Sequence, residues 1–174
     1  MTKRKLMIPG PVDVDEAVRM AMSVPSMPHY GQDWIRLYGE TQEMARQIFG
    51  TREDPILIAG PGTLALEIAL AGTHESGDAV LVPNNGFFGD RMVTVAKSHG
   101  LVPVVAKVDS GLPITPDLVA RALDDHPEVK SVVVVHHETS TGVLNPLGEI
   151  ARVAKQRDKL MVVDAVSSLG GVPL

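Results

Sequence analysis

The chain contains no cysteine. That excludes disulfides, a thiolate metal site and a thiol nucleophile. Aromatic residues are only 3% of its 174 positions. A core drawn from its 44% apolar residues must therefore be aliphatic. Positive charge is not in excess. The net charge of -5 argues against a nucleic-acid surface. No apolar run approaches the roughly 20 residues of a membrane-spanning helix. The basic start, Met1 to Lys5, leads into Leu6-Met7-Ile8 and then Pro9. That run is too short for a signal peptide, so the cytoplasm is the expected location. The helical zinc pair H-E-x-x-H is missing, as is the hydrolase elbow G-x-S-x-G. His136 and His137 are adjacent on an expected strand and so point to opposite faces. No metal site is expected.

What is present is a regular alternation. Residues 1–28 read as an N-terminal arm, bent at Pro9-Gly10-Pro11, with a short helix between Asp13 and Ser23. Residues 29–174 read as one domain, or the first part of one. Trp34 to Phe49 has helical spacing and stops at Gly50. Pro55 to Ala59 reads as a short strand. Gly60-Pro61-Gly62-Thr63 opens a helix from Leu64 to Ala71. Strands are then expected at 79–82, 102–107, 131–136 and 159–163. Helices are expected at 87–98, 116–123 and 146–156. Such alternation implies an α/β fold, with a mainly parallel sheet and helices on both faces. The last strand has no helix after it. We therefore expect the chain to be the first part of a longer protein.

Four features fall at expected strand ends, where open α/β sheets bind ligands. Gly60-Pro61-Gly62-Thr63 can cradle an anion on helix N–H groups. By letters it also matches a dinucleotide fingerprint. The ribose-binding acid that this fingerprint needs is absent after the next strand, where Pro83-Asn84-Asn85 stands. Phe87 and Phe88 lie at a strand-to-helix junction. Phe87 is expected to fill the core, and Phe88 could stack on a flat ring. His137-Glu138-Thr139-Ser140-Thr141-Gly142 gathers hydroxyl donors. Asp164 ends the apolar run Leu160 to Val163. It is either a turn or cap residue or the partner of a cation. Together these features suit a flat, phosphorylated heteroaromatic cation such as pyridoxal phosphate. An aspartate beside its pyridine nitrogen would keep that nitrogen protonated.

The same segments occur in order in a known family. Pro9-Gly10-Pro11-Val12, Gly60-Pro61-Gly62-Thr63 with Glu67, Asn85 to Arg91, His137 to Gly142 and Val163 to Gly171 resemble the class V pyridoxal-phosphate aminotransferases. The likeness is to the alanine–glyoxylate and serine–pyruvate type. It implies the large domain of a fold-type I enzyme, here only in part. It also implies transfer of an amino group from a small amino acid to a 2-oxo acid such as glyoxylate or pyruvate. Pro61, Gly62 and Thr63 would hold the phosphate. Phe88 and Val166 would pack on opposite ring faces. Thr139 would approach the ring hydroxyl, Asp164 would pair with the pyridinium, and Gly10 would line the substrate pocket. The usual partner is a second copy of the chain, in a homodimer.

The chain departs from the family pattern in places. Pro61 removes one N–H from the cradle. His29-Tyr30-Gly31 stands where many relatives have His-Arg. None of the lysines present occupies the place of the Schiff-base lysine, which falls past Leu174. The family's carboxylate-binding arginine and small C-terminal domain are also missing. A chain of this extent is expected to be inactive alone. Two other readings stand beside this one. The first is a non-catalytic binding or assembly fragment of the same fold. The second is a nicotinamide-dependent oxidoreductase.

Overall fold

A computed structural model of the chain describes residues 5–173. The basic start at 1–4 and Leu174 lie outside the described residues. In chain order the elements are α1 (Glu16–Ala21), α2 (Gln32–Phe49), α3 (Gly62–Thr73), β1 (Ala79–Asn84), α4 (Phe87–Ser98) and β2 (Val102–Lys107), then α5 (Pro116–Asp125), β3 (Ser131–Val135), β4 (His137–Glu138), β5 (Val143–Leu144), α6 (Leu147–Gln156) and β6 (Leu160–Asp164). The chain divides into two compact units, Met1–Leu57 and Ile58–Leu174.

The first unit holds α1 and α2. Asp15 caps α1 by accepting the Ala17 N–H at 2.8 Å. In α2 the Trp34 and Tyr38 rings lie one turn apart, 6.0 Å between centroids. Arg46, near the end of α2, bonds Asp54 through its Nε at 3.2 Å and pairs with Glu43 as well. Those bonds fold the segment after the helix back along it. The strand expected at 55–59 does not form. A strand exists only by pairing with a neighbour. Here the Pro55 carbonyl accepts the Gln42 side-chain amide at 3.1 Å instead.

The second unit is a wound α/β sheet. Four parallel strands run in the order β2-β1-β3-β6. Ser131-Val132-Val133-Val134-Val135 is a β-branched run without polar alternation, and every residue of it is buried. That is the signature of a central parallel strand covered on both faces. Alternate residues divide the core. Val80, Val82, Val133 and Val135 pack under α3 and α4 with Leu66, Leu70, Met92 and Val95. Leu81, Val132 and Val134 pack under α5 and α6 with Ile114, Val119, Leu123 and Ile150. Each valine so buried contributes about 2 kcal/mol. The aliphatic core expected from the scarcity of aromatics is present.

The winding sets up the site. From β1 the chain moves outward to β2, then returns past β1 to β3 and on to β6. Its direction across the sheet reverses between β1 and β3. Ligands of open α/β sheets sit outside the carboxyl ends of the strands at such a reversal.

Candidate active site at the carboxyl rim

β1, β3 and β6 end side by side, so Asn84-Asn85-Gly86, His136-His137-Glu138 and Asp164-Ala165-Val166 share one rim. The His136 N–H donates to the Asp164 carbonyl at 2.9 Å and extends the β3–β6 pairing past Val135. The start of α3 adjoins the same rim. A Cβ built on Gly62 would lie 2.9 Å from Val166 Cγ2, so the two residues are in close contact. The Leu64 N–H turns back onto the Pro61 carbonyl at 2.9 Å. The first N–H groups of a helix have no acceptor within it and remain able to meet an anion. Thr63 is half-buried, and its hydroxyl accepts from Arg91 Nη1 at 3.2 Å.

Asp164 is half-buried at the end of β6. Its Oδ1 accepts the Val166 N–H at 3.0 Å, the local turn bond characteristic of aspartate. Among the described residues it accepts no other hydrogen bond, and no cation pairs with it. One oxygen therefore fixes the turn, and the other is left to meet a donor or cation.

Phe87 departs from expectation. Phe87, expected in the core, is 57% exposed, with the Arg91 guanidinium 5.7 Å from its ring centre. Phe88 is the one that packs partly against the core, and it meets Phe87 edge to face at 5.4 Å. The reason is their place on α4. Phe87 opens the helix, its N–H donating to the Ser140 hydroxyl at 3.1 Å. Phe88, one residue on, turns inward.

The hydroxyl loop is not wholly a loop. His137–Glu138 pairs antiparallel with Val143–Leu144. Its hydroxyls are already engaged. Thr139 meets Ser167 at 2.5 Å, which ties this loop to the turn after Asp164. Ser140 donates to Glu138 Oε1 at 2.6 Å. Gly10 lies in the first unit, exposed, in the Pro9-Gly10-Pro11 bend. The other site residues named from sequence, Pro61, Gly62, Thr63, Phe88, Thr139, Asp164 and Val166, lie in the second unit.

Sequence reasoning missed three buried polar residues behind the rim. Glu138 is fully buried. Asn145 is buried and accepts the Ile114 N–H at 2.9 Å and the Asn85 amide at 3.0 Å. It donates to the Val135 carbonyl at 2.8 Å. Asn85 also donates to the Leu112 carbonyl at 2.9 Å. The signal for Asn85 was its place directly after an apolar strand. Glu138 and Asn145 carried no signal distinct from ordinary turn residues. His136 is buried too, and burial pushes its imidazole below the usual range, with the neighbouring His137 adding to the effect. Among the described residues no group of three or more side chains could hold a metal ion.

The fold and rim thus define a wound α/β protein with polar and small side chains gathered at the reversal between β1 and β3. The profile of the family described as aminotransferase class-V matches residues 16–174, and the chain belongs to that family. An uncharacterized aminotransferase of Methanocaldococcus jannaschii is 40% identical over 97% of this chain and 44% of its own length. The soluble hydrogenase 42 kDa subunit of Anabaena cylindrica is 36% identical over 97% of this chain and 45% of its own. The crystal structure of an alanine–glyoxylate aminotransferase from Nostoc sp. superposes with a TM-score of 0.94 at 32% identity, over 100% of this chain and 46% of that one. The sheet therefore has the fold of the fold-type I aminotransferases on which it superposes. The chain spans less than half the length of the curated relatives it matches.

Proposed function

We propose that the full-length protein is a pyridoxal-phosphate-dependent aminotransferase. It moves an amino group from a small amino acid to a 2-oxo acid such as glyoxylate or pyruvate, and it works in the cytoplasm. One observation carries the reading: the half-buried Asp164 carboxylate shares its turn with Val166, which touches Gly62 at the start of α3. A site for negative charge and a site for positive charge thus lie a few side chains apart. A molecule with a phosphate at one end and a protonated ring nitrogen at the other has the complementary pattern.

The residues present fit that group. A Cβ on Gly62 would press on Val166 Cγ2 at 2.9 Å, so glycine is what lets the turn after Asp164 lie against the start of α3. Gly62 and Thr63 would hold the phosphate, with Pro61 shaping the turn but giving no N–H. Phe88 and Val166 would cover the two ring faces, and Thr139 would meet the ring hydroxyl. Asp164 would hold the proton on the ring nitrogen by the attraction of opposite charges. When bound, pyridoxal phosphate draws electrons away from the bond that breaks at the substrate α-carbon. Gly10 would contribute to the amino acid's pocket.

None of the lysines within residues 1–174 stands at the family's position for the covalent lysine. This stretch alone would therefore bind the cofactor without turning it over. The family fixes no amino donor. The superposition with the Nostoc enzyme favours alanine and glyoxylate as the first pair to assay.

In the full-length protein, Asp164→Ala should lower kcat by about a hundredfold or more, the scale of losing one preorganised charge at the reacting group. Unchanged turnover would sink the reading. The cofactor's visible absorbance, measured on the unaltered protein, is the companion observation. We also propose a homodimer, supported by exposed apolar residues along α2 such as Ile35, Met44, Ile48 and Phe49. Sedimentation of the full-length protein at twice the chain mass is the expected result, and a monomer would contradict it.

A further inference from the structure

We infer that Glu138 is a positioning residue that sets the pose of Phe88 and Thr139 against the cofactor ring; this rests on the function proposed above. Glu138 is completely buried, and both of its carboxylate oxygens act only as acceptors. Oε1 takes the Ser140 hydroxyl at 2.6 Å, the Ser140 N–H at 3.1 Å and the Phe88 N–H at 3.3 Å. Oε2 takes the Phe88 N–H at 3.2 Å and the Gly89 N–H at 3.2 Å. These donors come from two places fifty residues apart: the first turn of α4 and the turn after β4.

The start of a helix needs an acceptor, and a local serine, threonine or aspartate normally supplies it. Here the N-cap of α4 is Gly86, which has no side chain to offer. The acceptor is instead a distant acid taken fully out of water, a costlier arrangement than a local cap. Its particular effect is to bind together two strand-end segments. One carries Phe88; the other carries Thr139, immediately next to Glu138. Gly86 completes the lock. A Cβ there would lie 2.5 Å from Glu138 Cδ and Cγ and 2.8 Å from Ser140 Oγ, so glycine is what admits the acid.

A charge-assisted bond is about twice as strong as a neutral one. In Glu138→Gln, an amide NH2 replaces one acceptor in front of two N–H donors, and the start of α4 shifts. Equilibrium dialysis of the full-length protein against pyridoxal phosphate tests this, together with the circular dichroism of the bound cofactor's visible band. Glu138→Gln should raise the cofactor Kd about tenfold, equivalent to about 1.4 kcal/mol, and reduce or invert that band. A role in stability alone would lower the urea midpoint and leave the Kd and the band of the folded fraction unchanged, which overturns the inference. Should Glu138→Gln fail to fold, Ser140→Ala decides. It removes the 2.6 Å bond and the Phe87 anchor from an exposed site, and should raise the Kd about threefold. An unchanged Kd there also overturns it. If the unaltered protein takes up no pyridoxal phosphate, the proposed function itself fails. If the unaltered protein loads and the variants load equally well, only Glu138's role falls.

Discussion

At the scale of single residues, the rim works by close approach. Gly62 touches Val166, which is 72% exposed and so free to rotate. Gly62→Ala should therefore displace Val166 rather than unfold the helix. The expected result is a cofactor Kd raised about tenfold, with a urea midpoint close to that of the unaltered protein. A large fall in the midpoint with Kd unchanged would show that the contact serves packing only. This contact was not visible in the sequence, where Gly62 and Val166 are separated by more than a hundred positions. Asp164 was legible, because a lone carboxylate closing an apolar strand stands out. Its bond to Val166 is the turn role that was open for it, and its other oxygen accepts no hydrogen bond among the described residues. Glu138 was not legible. A glutamate beside two threonines and a serine reads as solvent-facing, and only the winding of the sheet brings the start of α4 over it.

At the scale of elements, the amphipathic helices and valine-rich strands announced themselves. α4 and β2 have the limits read from sequence, Phe87–Ser98 and Val102–Lys107. α5 begins at Pro116 as expected and runs to Asp125, two residues further. Its cap has a defined chemistry. The Thr115 hydroxyl accepts the Leu118 N–H at 3.3 Å, and Pro116 occupies the first turn, where its missing N–H costs nothing. Thr115→Ala should lower stability by about 1 kcal/mol, read as a lower urea midpoint without change in cofactor affinity. The two small failures share a cause. Residues 55–59 have strand-like letters but lack a paired neighbour. β4 and β5 are two residues each, too short to leave a periodic pattern, yet their pairing is real. Pairing is a property of two segments, and one segment's composition does not contain it.

At the scale of the whole molecule, charge sets the response to acid. Asp78 is held below the usual carboxylate range, chiefly by the Glu75 backbone N–H and then by Lys130. Arg157 does the same for Asp124. Glu128 is lowered first by its own backbone N–H and then by His126. A depressed carboxylate favours folding above its unfolded value and loses that contribution as pH falls through the folded one. His136, depressed by burial, works in the same direction. The unfolded chain takes up its proton first, below the ordinary imidazole value of 6.5. Urea midpoints should therefore hold steady above neutrality and decline from pH 7 to 5.5. A steeper fall should follow below pH 4.5, where the carboxylates protonate. His136→Gln should flatten the first decline and leave the second intact. A first decline of full size in that variant would remove His136 from the account.

The reversal of strand order has a consequence for biosynthesis. Gly62, Phe88, Glu138 and Val166 belong to four separate stretches of the chain, and β6 is made after the other three strands. On the proposed function, a polypeptide emerging from the ribosome would lack part of the site for a vitamin-derived ring while β6 is still in the exit tunnel. Loading of the proposed cofactor would then follow the pairing of β6, and could not guide the earliest steps in the folding of this sheet.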